Sequence, residues 1–128
     1  MRQAGVPVMT GTDTAGIPFG YPGFAVHDEL ALLVEAGFTP MQALQAATSE
    51  PARYLGRQDS LGAIRRGYLA DLVVLDANPL HDIRNTQRIH SVMARCRYLS
   101  FSDRQRLLAD IEAAANTAVA SRLAGCCG

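Results

Sequence analysis

Apolar and polar positions change their spacing along this chain, and each change marks an element. Val6-Pro7-Val8-Met9-Thr10 is a short apolar, β-rich run closed by Gly11, the pattern of a parallel strand buried on both faces. The next stretch, Gly11 to Phe24, holds Gly16, Pro18, Gly20, Pro22 and Gly23, which neither a helix nor a strand interior accepts, so it reads as a loop. From Val26 to Ala36, Leu30, Leu33 and Val34 recur at helical spacing. Asp28 and Glu29 stand in the first turn, where the helix dipole favours negative charge, and Gly37 is placed to stop the helix. Thr39-Pro40-Met41-Gln42 combines an N-cap, a proline at the first helical position and a glutamine able to reach back. It predicts a capped helix over Pro40 to Thr48. Pro51 opens a further short turn through Arg53 and Leu55 to Gly56.

Beyond Gly62 the pattern becomes strand-like, in Gly62-Ala63-Ile64, Ala70 to Asp76 and Ile89 to Leu99, with turns at Arg66-Gly67-Tyr68 and Ala77-Asn78-Pro79. Ser102-Asp103-Arg104-Gln105 reads as a second capping box. Leu107, Leu108, Ile111, Ala115, Ala118, Val119 and Leu123 then form a stripe that predicts a long amphipathic helix ending at Gly125. The order is a strand, a long loop, two or three helices, a small β-unit and a helical tail. One parallel strand cannot make a sheet, so the first strand requires neighbours that this chain does not contain. By the same reasoning Val6 to Met9 and Leu72 to Leu75 should present uncovered edges or faces, and the isolated chain should self-associate.

Composition narrows the function. A chain of 128 residues accommodates one domain with a modest core. The 12 basic and 12 acidic residues cancel, and every basic residue is an arginine, scattered except for Arg65-Arg66. Nucleic-acid binding therefore has little electrostatic support, and lysine chemistry is excluded, including a lysine carbamate bridging two metals. No apolar stretch approaches the roughly 20 residues that cross a bilayer, and the start carries no export signal, so a cytoplasmic, non-membrane protein is the expectation. Cys96, Cys126 and Cys127 resemble neither a disulfide framework nor a zinc site. Cys96 reads as a small buried residue and the adjacent pair as an exposed, oxidisable end.

The chemistry concentrates in Gly11-Thr12-Asp13-Thr14, at the end of the apolar run and the start of the glycine-rich loop, where α/β folds keep their active sites. Asp13 could ligate a metal, take a proton from a metal-bound water, or merely cap the loop through an Asx-turn. Thr12 and Thr14 flank it. Thr14, Phe19 and Tyr21 are candidates to line a pocket, though one loop does not define a substrate.

Gly5-Val6-Pro7-Val8-x-x-Gly11-Thr12-Asp13, then His27-Asp28-Glu29-Leu30 and Glu35-Ala36-Gly37-Phe38-Thr39-Pro40-x-x-Ala43-Leu44, together resemble the amidohydrolase superfamily. Ala46-Ala47-Thr48, Pro51 to Gly56, Leu61 to Ile64 and Gly67 to Leu80 look like its C-terminal signature. The flavour is that of imidazolonepropionase-like and Xaa-Pro dipeptidase-like members, and the similarity runs from about Gly5 to Leu99. The resemblance implies an α/β fold. Residues 1–58 would be the last strand and helices of a (β/α)8 TIM-type barrel, 59–100 part of a composite β-sandwich, and 101–128 a helix and tail outside the match. It implies that Asp13 is both metal ligand and proton shuttle, in a hydrolase of C–N bonds in cyclic amides or small peptides with a divalent metal, zinc by preference. His27 matches a histidine at the start of the family's last barrel helix, with a pocket-facing role or a helix-capping one.

The resemblance also shows what is missing. The family's His-x-His pair, its bridging lysine or acidic substitute, and two further histidines have no counterpart. The chain holds only His27, His81 and His90, and the last two fall in the β-unit. Since catalytic zinc takes three protein ligands, this chain alone should be inactive. The leading expectation is a fragment of an enzyme whose N-terminal barrel portion lies upstream, acting when complete on a small-molecule substrate. The alternative is a non-catalytic interaction module or a split-enzyme subunit that pairs with a full-length relative. Cys96 stands where the family usually turns with glycine, which should distort that hairpin.

Overall fold

The computed structural model describes residues 6–14 and 22–124, with side chains through residue 116. Three helices come first: α1 (Ala25–Glu35), α2 (Pro40–Ala47) and α3 (Ser49–Tyr54). The stop after α1 is built as its glycine predicts. Gly37 takes φ 95°, its N–H reaches Val34 O at 2.9 Å, and Phe38 N–H reaches Leu33 O at 3.0 Å. These two bonds satisfy carbonyls that the helix end leaves orphaned, and the positive φ is accessible to glycine without a Cβ clash. The capping box of α2 is complete: Gln42 N–H donates to Thr39 Oγ1 at 3.2 Å, and Thr39 N–H donates to Gln42 Oε1 at 2.9 Å.

The β-unit is a three-stranded antiparallel sheet in the order β1 (Leu72–Leu75), β2 (Ile89–Ala94), β3 (Arg97–Leu99). Val73 faces Val92 across the first pair, and Met93 faces Tyr98 across the second. Between β1 and β2 lies a 3-10 helix, Ile83–Gln87, which the sequence pattern did not reveal. Its opening is an Asx-type cap, Arg84 N–H to Asp82 Oδ1 at 2.9 Å. The core lies where this turn meets the helices: Leu30 from α1, Ala43 from α2 and Ile83 are buried together, flanked by Ala31, Leu33, Val34, Leu44 and Ala47. The small side chain of Ala43, fully buried, allows the close approach of α2.

Several expectations are corrected. Residues 6–10 are assigned no strand and Val6 is 50% exposed, because a strand exists only by pairing and none of the described residues pairs with it. Rather than a strand, Gly62 and Ala63 form bends and Ile64 has no regular structure, with Gly62 at φ 80°. The tail helix, α4 (Phe101–Ala124), is capped two residues earlier than expected, at Ser100 instead of Ser102. Ser100 and Asp103 cap it reciprocally, Asp103 N–H to Ser100 Oγ and Ser100 N–H to Asp103 Oδ2, both at 3.2 Å. Leu107, Leu108 and Ile111 of its stripe are exposed. Cys96 is exposed, not buried, because it occupies the tip of the β2–β3 hairpin. The expected exposure of β1 is found, with Val73 and Val74 about half accessible at 56% and 49%. Readings of Phe19, Tyr21, Cys126 and Cys127 lie outside the described residues.

Candidate functional site

The segment that carries Asp13 is held by two backbone donors. Thr10 N–H bonds the Ala46 carbonyl of α2 at 3.1 Å, and Gly11 N–H reaches Glu29 Oε1 of α1 at 3.4 Å, the weaker contact by length. Ala46 itself is buried, so the segment is seated against the helix pair before the loop departs. Asp13 then adopts φ 45°, a left-handed conformation that aspartate tolerates better than most residues. Its side chain is exposed, while Thr12 and Thr14 on either side are half-buried. The carboxylate is therefore exposed near the end of an anchored segment.

His27 lies elsewhere. Its Nδ1 is 3.0 Å from Thr86 Oγ1 in the 3-10 helix, and its ring meets Phe24 edge-on at 5.6 Å between centroids. Burial lowers its pKa below the ordinary 6.5, the neighbouring Asp28 opposing this only in part. The helix-capping alternative is not what is observed, since the N-cap residue of α1 is Phe24 and no side chain caps the helix. The structure thus brings Thr12, Asp13 and Thr14 together on one segment and places His27 at a contact between α1 and the β-unit.

Among the described residues no group of three His, Cys, Asp or Glu side chains is placed to hold a metal ion. A catalytic zinc needs about three protein ligands, so these residues do not by themselves fit one. His90 pairs with Asp76 at 2.9 Å on the β-unit. His81 lines a groove of about 260 Å³ with Asp82, Ile83, Arg84 and the C-terminal half of α1. Neither histidine joins Asp13. Glu29 and Thr86 are the partners that sequence reasoning missed. Glu29 was visible as a first-turn acid and as part of the His27-Asp28-Glu29-Leu30 motif but not as a partner of Gly11, and Thr86 sits in a short polar run that carries no periodic signal.

The chain resembles proteins of known activity over most of its length. The amidohydrolase family model matches residues 1–114. Ochratoxinase of Aspergillus niger is 41% identical over 92 residues, which is 70% of this chain and 18% of that protein. Imidazolonepropionase of Salmonella typhi is 40% identical over 78 residues, 60% of this chain and 19% of that protein. A crystal structure of a Xaa-Pro dipeptidase with methionine in its active site superimposes with a TM-score of 0.68 at 34% identity, covering 77% of this chain and 23% of that one. The chain thus spans about a fifth of the length of the curated relatives it matches. With the family model matched over most of its length, the chain belongs to the amidohydrolase family.

Proposed function

We propose that this chain is the C-terminal portion of a metal-dependent amidohydrolase that cleaves a C–N bond of a cyclic amide or small peptide, with Asp13 as its contribution to the catalytic centre. In this reading residues 1–58 complete a (β/α)8 barrel, 59–100 contribute to a small β-sandwich, and 101–128 form an appended helix and tail. One observation carries it: the segment 6–14 is anchored on α1 and α2, lacks a strand partner among the described residues, and carries an exposed carboxylate at Asp13 near its end. Strands on either side would complete a parallel sheet and leave Asp13 at its C-terminal edge, where barrel enzymes do their chemistry.

Hydrolysis of an amide asks two things of such a carboxylate. Water must lose a proton as it attacks the carbonyl carbon, and the nitrogen must gain one before it leaves, since an amide anion is a poor leaving group. One carboxylate that takes the first proton and returns it to the nitrogen serves both steps, and such proton transfer contributes typically ~10²–10⁴-fold. The divalent metal, zinc by its ordinary use in this chemistry, would activate the water, and its remaining ligands would come from outside this chain.

The test is to express the chain together with the coding sequence that precedes it, measure bound zinc, and assay a panel of cyclic amides and dipeptides. Metal uptake and hydrolysis are expected, with Asp13→Asn lowering turnover about 10²-fold or more at unchanged fold. Full activity in Asp13→Asn, or a preceding sequence without histidine donors, would defeat the reading. The half-exposed Val73 and Val74 of β1 support a second reading, a subunit that pairs with a full-length relative. That arrangement would bind zinc only on mixing, and the chain alone would sediment as an oligomer.

A further inference from the structure

We propose that His27 is a positioning residue for the segment that carries Asp13: as the Nδ1–H tautomer it pegs α1 to the 3-10 helix through Thr86. The role of Asp13 is the one proposed above; the peg itself is argued from geometry. Thr86 is buried, and its hydroxyl has one proton. That proton is directed to the Ile83 carbonyl, 2.9 Å away, which can only accept. Toward His27 Nδ1, at 3.0 Å, the hydroxyl therefore presents a lone pair, and Nδ1 must be the donor. A neutral ring with Nδ1 protonated leaves Nε2 bare, and the burial that depresses the His27 pKa favours this neutral ring.

The consequence is mechanical. Residues two apart on a helix point to roughly opposite sides, so His27 and Glu29 hold different faces of α1. Glu29 takes the N–H of Gly11, two residues before Asp13, while His27 grips the β-unit. α1 is a strut between them, and freeing the His27 end would loosen the surface on which the Asp13 segment rests. The buried Thr86 hydroxyl makes the peg selective. A donor at the Nδ1 position fits it, and one at the Nε2 position does not.

The experiment uses isotope-labelled full chain and reads the His27 ring nitrogens by long-range nitrogen–proton correlation at pH 7.5, with amide exchange of Arg88, whose N–H closes the 3-10 helix on Asn85 O, and of Thr10 and Gly11, whose N–H groups hold the Asp13 segment. Wild type is expected to show protonated Nδ1 and bare Nε2. Thr86→Val should shift the ring toward the Nε2–H tautomer that histidine prefers in water, and Thr86→Ser should not. His27→Asn, whose amide N–H stands near the Nδ1 position, should keep exchange within about twofold of wild type. His27→Gln, with its amide near the Nε2 position, should speed exchange about tenfold, the loss expected of one such hydrogen bond. An Nε2–H ring in wild type, or Asn no better than Gln, overturns the proposal. Neither readout depends on hydrolysis, so failure of the enzyme reading would leave the peg standing, and failure of the peg would leave Asp13 to its own test.

Discussion

Replacing Cys96 with glycine should stabilise the protein, and the reason lies in two backbone angles. β2 and β3 pair Ala94 with Arg97, leaving a two-residue loop whose central residues, Arg95 and Cys96, have φ 50° and 62°. Positive φ at both positions is what a type I′ hairpin turn needs, and the second is commonly glycine. A side chain held there costs about 1–2 kcal/mol through the clash of Cβ with the backbone. Glycine removes that strain but loses more freedom on folding, which returns about 0.5–1 kcal/mol. The thiol is exposed, so no packing is lost. The net gain should be about 0.5–1 kcal/mol, or roughly 2–5 °C in Tm for a chain of this size. Urea and thermal unfolding under reducing conditions measure it, with Cys96→Ala as the control, because alanine removes the thiol while keeping Cβ. An equal gain from alanine and glycine, or no gain from glycine, would refute the backbone argument.

Gly62→Ala should do the reverse. A Cβ there would lie 2.7 Å from Thr48 O and 2.9 Å from both Ala52 Cβ and Ser49 Cα, at φ 80°, so a loss of about 2 kcal/mol or more is expected in urea unfolding. Thr39→Ala removes the acceptor of Gln42 N–H and should cost about 1 kcal/mol, read by the same unfolding and by faster exchange of the Gln42 amide. For pH, the folded His27 titrates below 6.5. The unfolded chain thus binds its proton first, so the stability it contributes is full above pH 6.5 and declines as pH falls through the folded value. The difference in Tm between wild type and His27→Gln, followed from pH 8 to 5.5, should narrow in that window. A difference independent of pH would show that the ring titrates normally.

Much of this protein is local and therefore legible in the sequence alone. The start, cap and stop of α2 and the Gly37 terminus of α1 are decided by residues within a few positions of one another, and each formed as its pattern predicts. The motifs around Asp13 likewise mark the family. What depends on distant partners was not legible. Val6 to Thr10 has the composition of a buried strand but is unpaired among the described residues, since a strand is completed by neighbours that its own residues cannot specify. The long helix was readable from its periodicity, yet its true cap at Ser100 and Asp103 was settled by which side chains reach the free N–H groups. Cys96 looked like a core residue by type and became a turn residue because the register of the sheet put it at the tip. His27 and Thr86 lie 59 residues apart and meet only when the 3-10 helix packs on α1. Sequence patterns determine elements through interactions between near neighbours, whereas the partner of a strand edge or a ring nitrogen is chosen by the fold as a whole.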